Sequence, residues 1–145
     1  MIKVYTSSVI DAPADSVWAQ VRDFNGLPKW TPFVAESRIE GGLAADKIGC
    51  VRNFRLKDGG VIREQLLTLS DYDYQCSYSI LESPMGVENY VATLKFTPVT
   101  DGNRTFAEWW AEFDCAPEKE RELAQQIGQG VFQGGFDSLK NLLRK

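Results

Sequence analysis

The alternation of apolar and polar positions predicts a chain built mostly of strands, with a few helices at its two ends. After a first strand at about Lys3 to Asp11, Val17, Trp18 and Val21 form the apolar face of a short helix. Leu27-Pro28-Lys29-Trp30 predicts a second short helix or turn. A period of two then predicts six further strands, at about 34–40, 50–57, 61–70, 72–82, 88–98 and 104–115.

A long amphipathic helix is predicted from Pro117 to the C-terminus. Its apolar arc comprises Leu123, Ile127, Val131, Phe132, Phe136, Leu139, Leu142 and Leu143. Such a helix must bury that arc against the sheet. We therefore expect an α+β fold in which a curved, seven-stranded antiparallel sheet wraps around the C-terminal helix. Two short helices follow the first strand. Because these two helices alone close the open end of the curved sheet, we expect a cavity between the sheet and the C-terminal helix.

Glycines interrupt this helix at four positions, each at a cost of about 1 kcal/mol relative to alanine. Gly128, Gly134 and Gly135 fall within the apolar arc, and Gly130 lies outside it. Glycine in the arc either lets the sheet approach closely or leaves empty volume for a ligand. A locally weak, kinked helix is the alternative.

Composition places the chain among ordinary globular proteins and predicts one domain over residues 1–145, with 43% hydrophobic and 25% charged residues. No apolar run approaches the ~18 residues of a membrane span, so no integral membrane association is expected. The N-terminus resembles no signal peptide, so we expect a cytoplasmic protein. A net charge of −4 argues against a nucleic-acid partner.

The absence of histidine removes many catalytic mechanisms from consideration. Ser-His-Asp and Cys-His nucleophiles and histidine-ligated zinc require a residue that this chain does not contain. Cys50, Cys76 and Cys115 are too far apart for a Cys-x-x-Cys pair and are expected to be reduced, packed thiols. We expect neither a metal nor another cofactor.

The segment IDAPADSVWAQVRDFNGLPKW, residues 10–30, resembles the N-terminal signature of the START-like, or SRPBCC, superfamily. Further similar stretches are IGCVRNF, DGGVIREQLL, YSILESPMGVENYVATLKFTP and EWWAEF. Within this superfamily, the chain most resembles the bacterial polyketide cyclase/dehydrase and lipid-transport family. The resemblance implies a helix-grip fold with an internal hydrophobic pocket. Superfamily members include aromatase/cyclases, plant hormone receptors and lipid carriers, so function depends on the pocket rather than on the topology.

Two charged residues are predicted on the inner face of a hairpin. If Asp58-Gly59-Gly60 forms its loop, Phe54 lies opposite Glu64 and Arg52 lies opposite Leu66. Arg52 and Glu64 would then be diagonal neighbours among aliphatic residues. They could anchor a ligand carboxylate, carbonyl or hydroxyl, and Glu64 is the candidate catalytic base. The alternatives are a structural salt bridge at the cavity floor or a register that leaves both in water.

Aromatic residues supply the rest of the predicted pocket, although each could equally belong to a packed core. The candidate ligand-binding residues are Trp30, Phe33, Arg52, Phe54, Glu64, Tyr78, Met85, Tyr90, Trp109 and Phe132. Met85 lies in a loop that could gate the mouth or could be an ordinary hairpin connection. Phe106 and Trp110 are expected to point outward, either as a homodimer contact or covered by a neighbouring side chain.

These features favour a protein that binds or transports a small hydrophobic molecule such as a lipid, an isoprenoid or an aromatic polyketide. The alternative is a cyclase or dehydratase that uses Arg52 with Glu64, Tyr78 or Tyr90, because positioning alone can contribute much of such catalysis. A third possibility is control of a protein partner through Phe106 and Trp110.

Overall fold

Seven strands form one antiparallel sheet in the computed structural model, which describes residues 1–144. The strands are β1 Ile2–Ile10, β2 Val34–Ile39, β3 Val51–Leu56, β4 Val61–Ser70, β5 Gln75–Glu82, β6 Glu88–Val99 and β7 Arg104–Asp114. Their order is β1-β7-β6-β5-β4-β3-β2, so six consecutive strands form a meander and the first strand pairs with the last. The predicted α+β architecture is confirmed.

Two short helices, α1 (Ala14–Val21) and α2 (Leu27–Trp30), connect β1 to β2. Pro13 occupies the N-cap position of α1, and no side chain makes a capping hydrogen bond there. The Pro13 carbonyl accepts hydrogen bonds from the backbone N–H groups of Ser16 and Val17. The buried residues of α1 include Val17, Trp18 and Val21, the face that the sequence pattern predicted.

The C-terminal helix, residues 117–142, changes its winding along its length. A 3₁₀ turn at Pro117–Lys119 leads into α3 (Glu120–Gln125), a π-helical segment at Gln126–Gln133, and α4 (Gly134–Leu142). Leu123, Ile127, Phe132, Phe136 and Leu139 are buried as predicted. Leu142 is 47% exposed instead, because the helix ends there. A π-helical segment is uncommon and is frequently found beside a functional site.

The β3–β4 hairpin has a register two residues away from the predicted one. Phe54 pairs with Ile62 and Arg52 pairs with Glu64, because Leu56 N–H already bonds to the Gly60 carbonyl. Side chains alternate with a period of two along a strand, so a shift of two leaves every residue on its predicted face. Arg52 and Glu64 are therefore direct cross-strand neighbours rather than diagonal ones.

The β4–β5 connection is also longer than predicted. A turn spans residues 71–74, where Tyr74 has a φ of 53°, and β5 begins only at Gln75. Tyr72, which the alternating pattern placed in the strand, is 95% exposed. The turn still leaves Cys76 and Tyr78 on the buried face.

The outer face of the sheet carries Phe106 and Trp110, as predicted. Each is only partly buried, and Tyr5 of the adjacent strand stacks on Trp110 with ring centroids 6.3 Å apart. The Tyr5 hydroxyl donates a 2.6 Å hydrogen bond to Glu108 on the same face. The neighbouring side chain therefore covers part of the indole.

Candidate ligand-binding site

A cavity of about 520 Å³ lies between the sheet and the π-helical segment of the C-terminal helix. Most of its wall is apolar. The lining side chains are Pro32, Phe33, Phe54, Leu56, Lys57, Asp58, Ile62, Glu64, Tyr78, Ile80, Met85, Tyr90, Gln126, Ile127 and Val131, with Gly130 contributing backbone. Strands β3 to β6 form one side, and the helix forms the other.

Six of the predicted ligand-binding residues lie together on this wall, namely Phe33, Phe54, Glu64, Tyr78, Met85 and Tyr90. Alternation along the strands explains the arrangement, because Phe54, Glu64, Tyr78 and Tyr90 all project from the inner face. Phe33 and Met85 come from the two loops at the mouth and are half-buried. The inner-face rule therefore recovered most of the polar and aromatic lining.

Glu64 is 6% exposed and Arg52 is 5% exposed, and the two form a buried ion pair. Glu64 Oε1 accepts from Arg52 Nε at 2.8 Å and lies 2.6 Å from Arg52 Nη2. Burial raises the pKa of Glu64 above its usual value, although the Arg52 charge and hydrogen bond act in the opposite direction. Charged groups persist at such depth only with a partner of this kind.

The Arg52 guanidinium is enclosed by protein on its other sides. Its Nη1 donates to the Phe24 carbonyl at 3.2 Å. The Phe24 and Tyr78 rings lie over it, with their centroids 4.0 and 4.8 Å from its central carbon. Arg52 does not line the cavity, so its place in the structure is behind Glu64 rather than beside a ligand.

Two tyrosine hydroxyls accompany Glu64 on the cavity wall. Tyr78 Oη accepts a 3.1 Å hydrogen bond from Trp109 Nε1, whereas Tyr90 Oη has no hydrogen-bond partner among residues 1–144. Burial raises the pKa of both phenols well above the usual value. The nearby Glu64 charge acts in the same direction on both. Glu64, Tyr78 and Tyr90 are defined here as the polar cluster.

The remaining predicted aromatic residues pack away from the cavity. Trp109 stacks on Phe132 with centroids 4.4 Å apart and contacts Trp30 and Phe136 at 5.8 and 5.9 Å. All four are buried, and none lines the cavity. Trp30, Trp109, Phe132 and Phe136 are called the sealed aromatic cluster below. Trp30, Trp109 and Phe132 were expected in the pocket, and the structure places them, together with Phe136, in the solid core next to it.

The helix glycines explain why one region is solid and the other hollow. An added Cβ at Gly135 would lie 2.8 Å from Trp109 Cζ3, and one at Gly128 would lie 3.1 Å from Val4 Cγ1. The absence of a side chain at these two glycines lets the helix lie close to the sheet. Gly130 has nothing within 4 Å of its Cβ position and lies at the cavity. It was not among the predicted site residues, and neither were Ile80 and Val131.

No helix within residues 1–144 is long and apolar enough to cross a membrane. Over the same residues, no group of three or more Cys, Asp or Glu side chains is arranged to hold a metal ion. Cys50 and Cys76 are buried, and burial raises the pKa of the Cys76 thiol to about 11. The buried polar side chains on the cavity wall, within the described residues, are the Glu64 carboxyl group and the Tyr78 and Tyr90 phenols.

A comparison with known protein families identifies the family of this chain. Residues 1–144 match the family described as polyketide cyclase / dehydrase and lipid transport. The chain belongs to this family. The match confirms the START-like resemblance and identifies the curved sheet and C-terminal helix as the helix-grip fold.

Individual relatives share the fold, part of the sequence, or both. A protein from Thermobifida fusca has 31% identity and a TM-score of 0.86, over 97% of this chain and 91% of the other. Abscisic acid receptor PYL7 from Arabidopsis thaliana is 29% identical over 92 residues, which are 61% of this chain and 42% of the receptor. A norcoclaurine synthase from Thalictrum shares the fold, with a TM-score of 0.75 and 16% identity. That match covers 97% of this chain and 92% of the synthase chain.

Proposed function

We propose that this protein binds a small, largely apolar molecule in the cavity between the sheet and the C-terminal helix. The observation that carries the proposal is a cavity of about 520 Å³ whose apolar wall is broken by the polar cluster. Pockets for small organic ligands have volumes of about 300–1,000 Å³ and combine apolar walls with a few polar groups. The candidate ligands are lipids, isoprenoids and aromatic polyketides.

The relatives support a binding role of this kind. The family description includes lipid transport, and one relative is named as a receptor for the small molecule abscisic acid. The candidate ligand contacts are Phe33, Phe54, Glu64, Tyr78, Met85 and Tyr90. A cytoplasmic location and a homodimer through Phe106 and Trp110 stay predictions.

Native mass spectrometry of freshly purified protein tests the proposal, together with titration by the neutral fluorescent probe 1-N-phenylnaphthylamine. Gly130→Leu is the informative variant, because it places a side chain at open space on the cavity wall. Gly134→Leu is the matched control, since its Cβ position is also open and Gly134 does not line the cavity. We expect at least tenfold weaker probe binding in Gly130→Leu and unchanged binding in Gly134→Leu.

Two results would contradict ligand binding at this site. The first is wild-type protein that carries no apolar molecule and does not bind the probe. The second is a Gly130→Leu variant that binds the probe as wild type does. Extraction of a co-purified molecule in near-stoichiometric amount would identify its chemical class.

A cyclase or dehydratase activity is the second candidate, favoured by Glu64. Its pKa is raised by burial, which suits a carboxyl group that transfers a proton inside an apolar site. If the protein is an enzyme, Glu64→Gln should abolish turnover of the extracted molecule even at concentrations that saturate the variant. If it is a carrier, the molecule should be recovered chemically unchanged after prolonged incubation with wild-type protein.

A further inference from the structure

The polar groups on the cavity wall differ in what they can offer to a ligand. Lys57, Asp58 and Gln126 are exposed residues of the wall, whereas the polar cluster is buried. Glu64 is the one charged side chain on the buried part of this wall within residues 1–144. The charged group that the inner end presents to a ligand is therefore a carboxyl group, with the Arg52 guanidinium behind it.

Arg52 cannot serve as an anchor for a ligand anion. All three of its guanidinium nitrogens already have protein oxygens as partners, two of them at Glu64 and one at the Phe24 carbonyl. Aromatic rings enclose it, and it is absent from the cavity wall. Its contribution is to hold the Glu64 carboxyl group in place, with Oε1 as the shared atom.

The second oxygen of Glu64 remains available. Arg52 binds Oε1, and Oε2 has no hydrogen-bond donor among the described residues. Among the described residues, Trp30 Nε1 is the fully enclosed side-chain polar atom that lacks a hydrogen-bond partner. Glu64 Oε2 also lacks a partner, so it is not fully enclosed. An acceptor oxygen that reaches the cavity is best satisfied by a ligand N–H or O–H group.

The tyrosines complete this pattern. Tyr90 Oη has no partner within residues 1–144, and Tyr78 Oη, which accepts from Trp109, keeps its own hydrogen to donate. A ligand hydroxyl can donate to Glu64 and accept from a tyrosine at once. A protonated amine can donate to Glu64 with an added attraction between opposite charges. A ligand carboxylate would instead place a second negative charge beside Glu64 in an apolar site, which is costly.

We infer that the ligand enters with a hydrogen-bond donor at its inner end, either a hydroxyl group or a protonated amine, and that molecules with a carboxylate there are rejected. This inference rests on the proposed binding function and specifies its ligand class. It also assigns Glu64 the selecting role, with Arg52 as the residue that positions it.

A matched set of four biphenyl probes tests the inference with the full chain. The probes are 4-phenylphenol, 4-phenylbenzylamine, 4-methylbiphenyl and 4-phenylbenzoate, which share one apolar body and differ in the polar end. Dissociation constants are measured at pH 7 by calorimetry or by displacement of 1-N-phenylnaphthylamine. We expect the phenol and the ammonium to bind at least tenfold more tightly than the methyl compound. We expect the benzoate to bind more weakly than the methyl compound.

Two variants link the preference to the polar cluster. Glu64→Gln should lower the affinity for the protonated 4-phenylbenzylamine at least tenfold. It should also reduce or abolish the difference between the dissociation constants of 4-phenylbenzoate and 4-methylbiphenyl. Tyr90→Phe should weaken phenol binding several-fold and leave 4-methylbiphenyl unchanged. Tyr90→Phe removes only a hydroxyl without a protein partner, so it serves as the readout if Glu64→Gln destabilises the fold. Glu112→Gln and Tyr72→Phe are the matched controls at exposed positions.

The outcomes separate this inference from the proposed function. Wild-type protein that binds the benzoate as tightly as the phenol would overturn the inference. Equal affinity for all four probes would overturn it too, while leaving cavity binding intact. If none of the four binds while 1-N-phenylnaphthylamine does, the inference is wrong and cavity binding stands. If 1-N-phenylnaphthylamine does not bind either, both are wrong.

Discussion

Two neighbouring regions of the interior lie between the same sheet and the same helix, yet one is solid and the other is hollow. In the sealed aromatic cluster, Trp109 stacks on Phe132 at 4.4 Å, and Gly135 lets the indole approach the helix. In the cavity, the helix presents Gly130 and Val131 to a space of about 520 Å³. A glycine in this helix therefore permits close packing where a large side chain lies opposite, as at Gly135, and borders open space where none does, as at Gly130.

The largest expected effect separates the two regions by stability. Phe132→Ala should lower the free energy of unfolding by about 3–5 kcal/mol, because it opens a void in close-packed surroundings. Ile80→Ala, on the cavity wall, should cost less than about 2 kcal/mol, because the side chain there is half-buried and already borders empty space. Urea denaturation of both variants measures the difference. Equal losses would mean that the cavity is collapsed in solution.

Alanine at the two glycines should change stability in opposite directions. At Gly135 the new Cβ would meet Trp109 at 2.8 Å. Overpacking of this kind costs about 1–3 kcal/mol, and the better helix propensity of alanine offsets up to about 1 kcal/mol. At Gly130 the space is open, so Gly130→Ala should stabilise by about 0.5–1 kcal/mol. Thermal unfolding monitored by circular dichroism tests both, and a shared sign would refute the comparison.

The smallest expected effect is a difference in pH dependence. Burial raises the pKa of Glu64, so the folded state holds this proton to higher pH than the unfolded state. The contribution of Glu64 to the free energy of unfolding therefore falls as pH rises from its usual pKa through the raised value. Glu64→Gln should remove this fall. Phe132→Leu should keep it, because the sealed aromatic cluster contains no carboxyl group.

Denaturation of wild type and both variants between about pH 4 and pH 8 measures that slope, since the window begins near the usual glutamate pKa. An unchanged pH dependence in Glu64→Gln would mean that the carboxyl group titrates as it does in water. The polar cluster would then be less buried than the comparison of the two regions requires.

The face on which a residue lies was more predictable than its exact partner. The β3–β4 register differed from the prediction by two residues, yet Arg52, Phe54 and Glu64 stayed on the inner face. Alternation is a local property of a strand, whereas register depends on the turn, here on the Leu56–Gly60 hydrogen bond. For the same reason, Tyr78 lies on the predicted inner face, although β5 begins at Gln75 and not at Tyr72 as predicted.

The division of inner-face residues between core and cavity was not predictable from alternation. Trp109 and Tyr90 have the same inward pattern, but Trp109 is covered by Phe132 and Gly135 while Tyr90 borders open space. Pattern indicates the direction of a side chain and carries no information on what lies opposite. That depends on the distance between helix and sheet at each level.

The sequence by itself determined the element order, the antiparallel meander, the long final helix and the family resemblance, because these follow from short-range periodicity and turn residues. Only the tertiary structure decided that Arg52 supports Glu64 from behind and that the cavity lies beside Gly130 and Val131. Those features arise where residues far apart in the chain meet. Their contacts depend on packing in three dimensions, which no local pattern encodes.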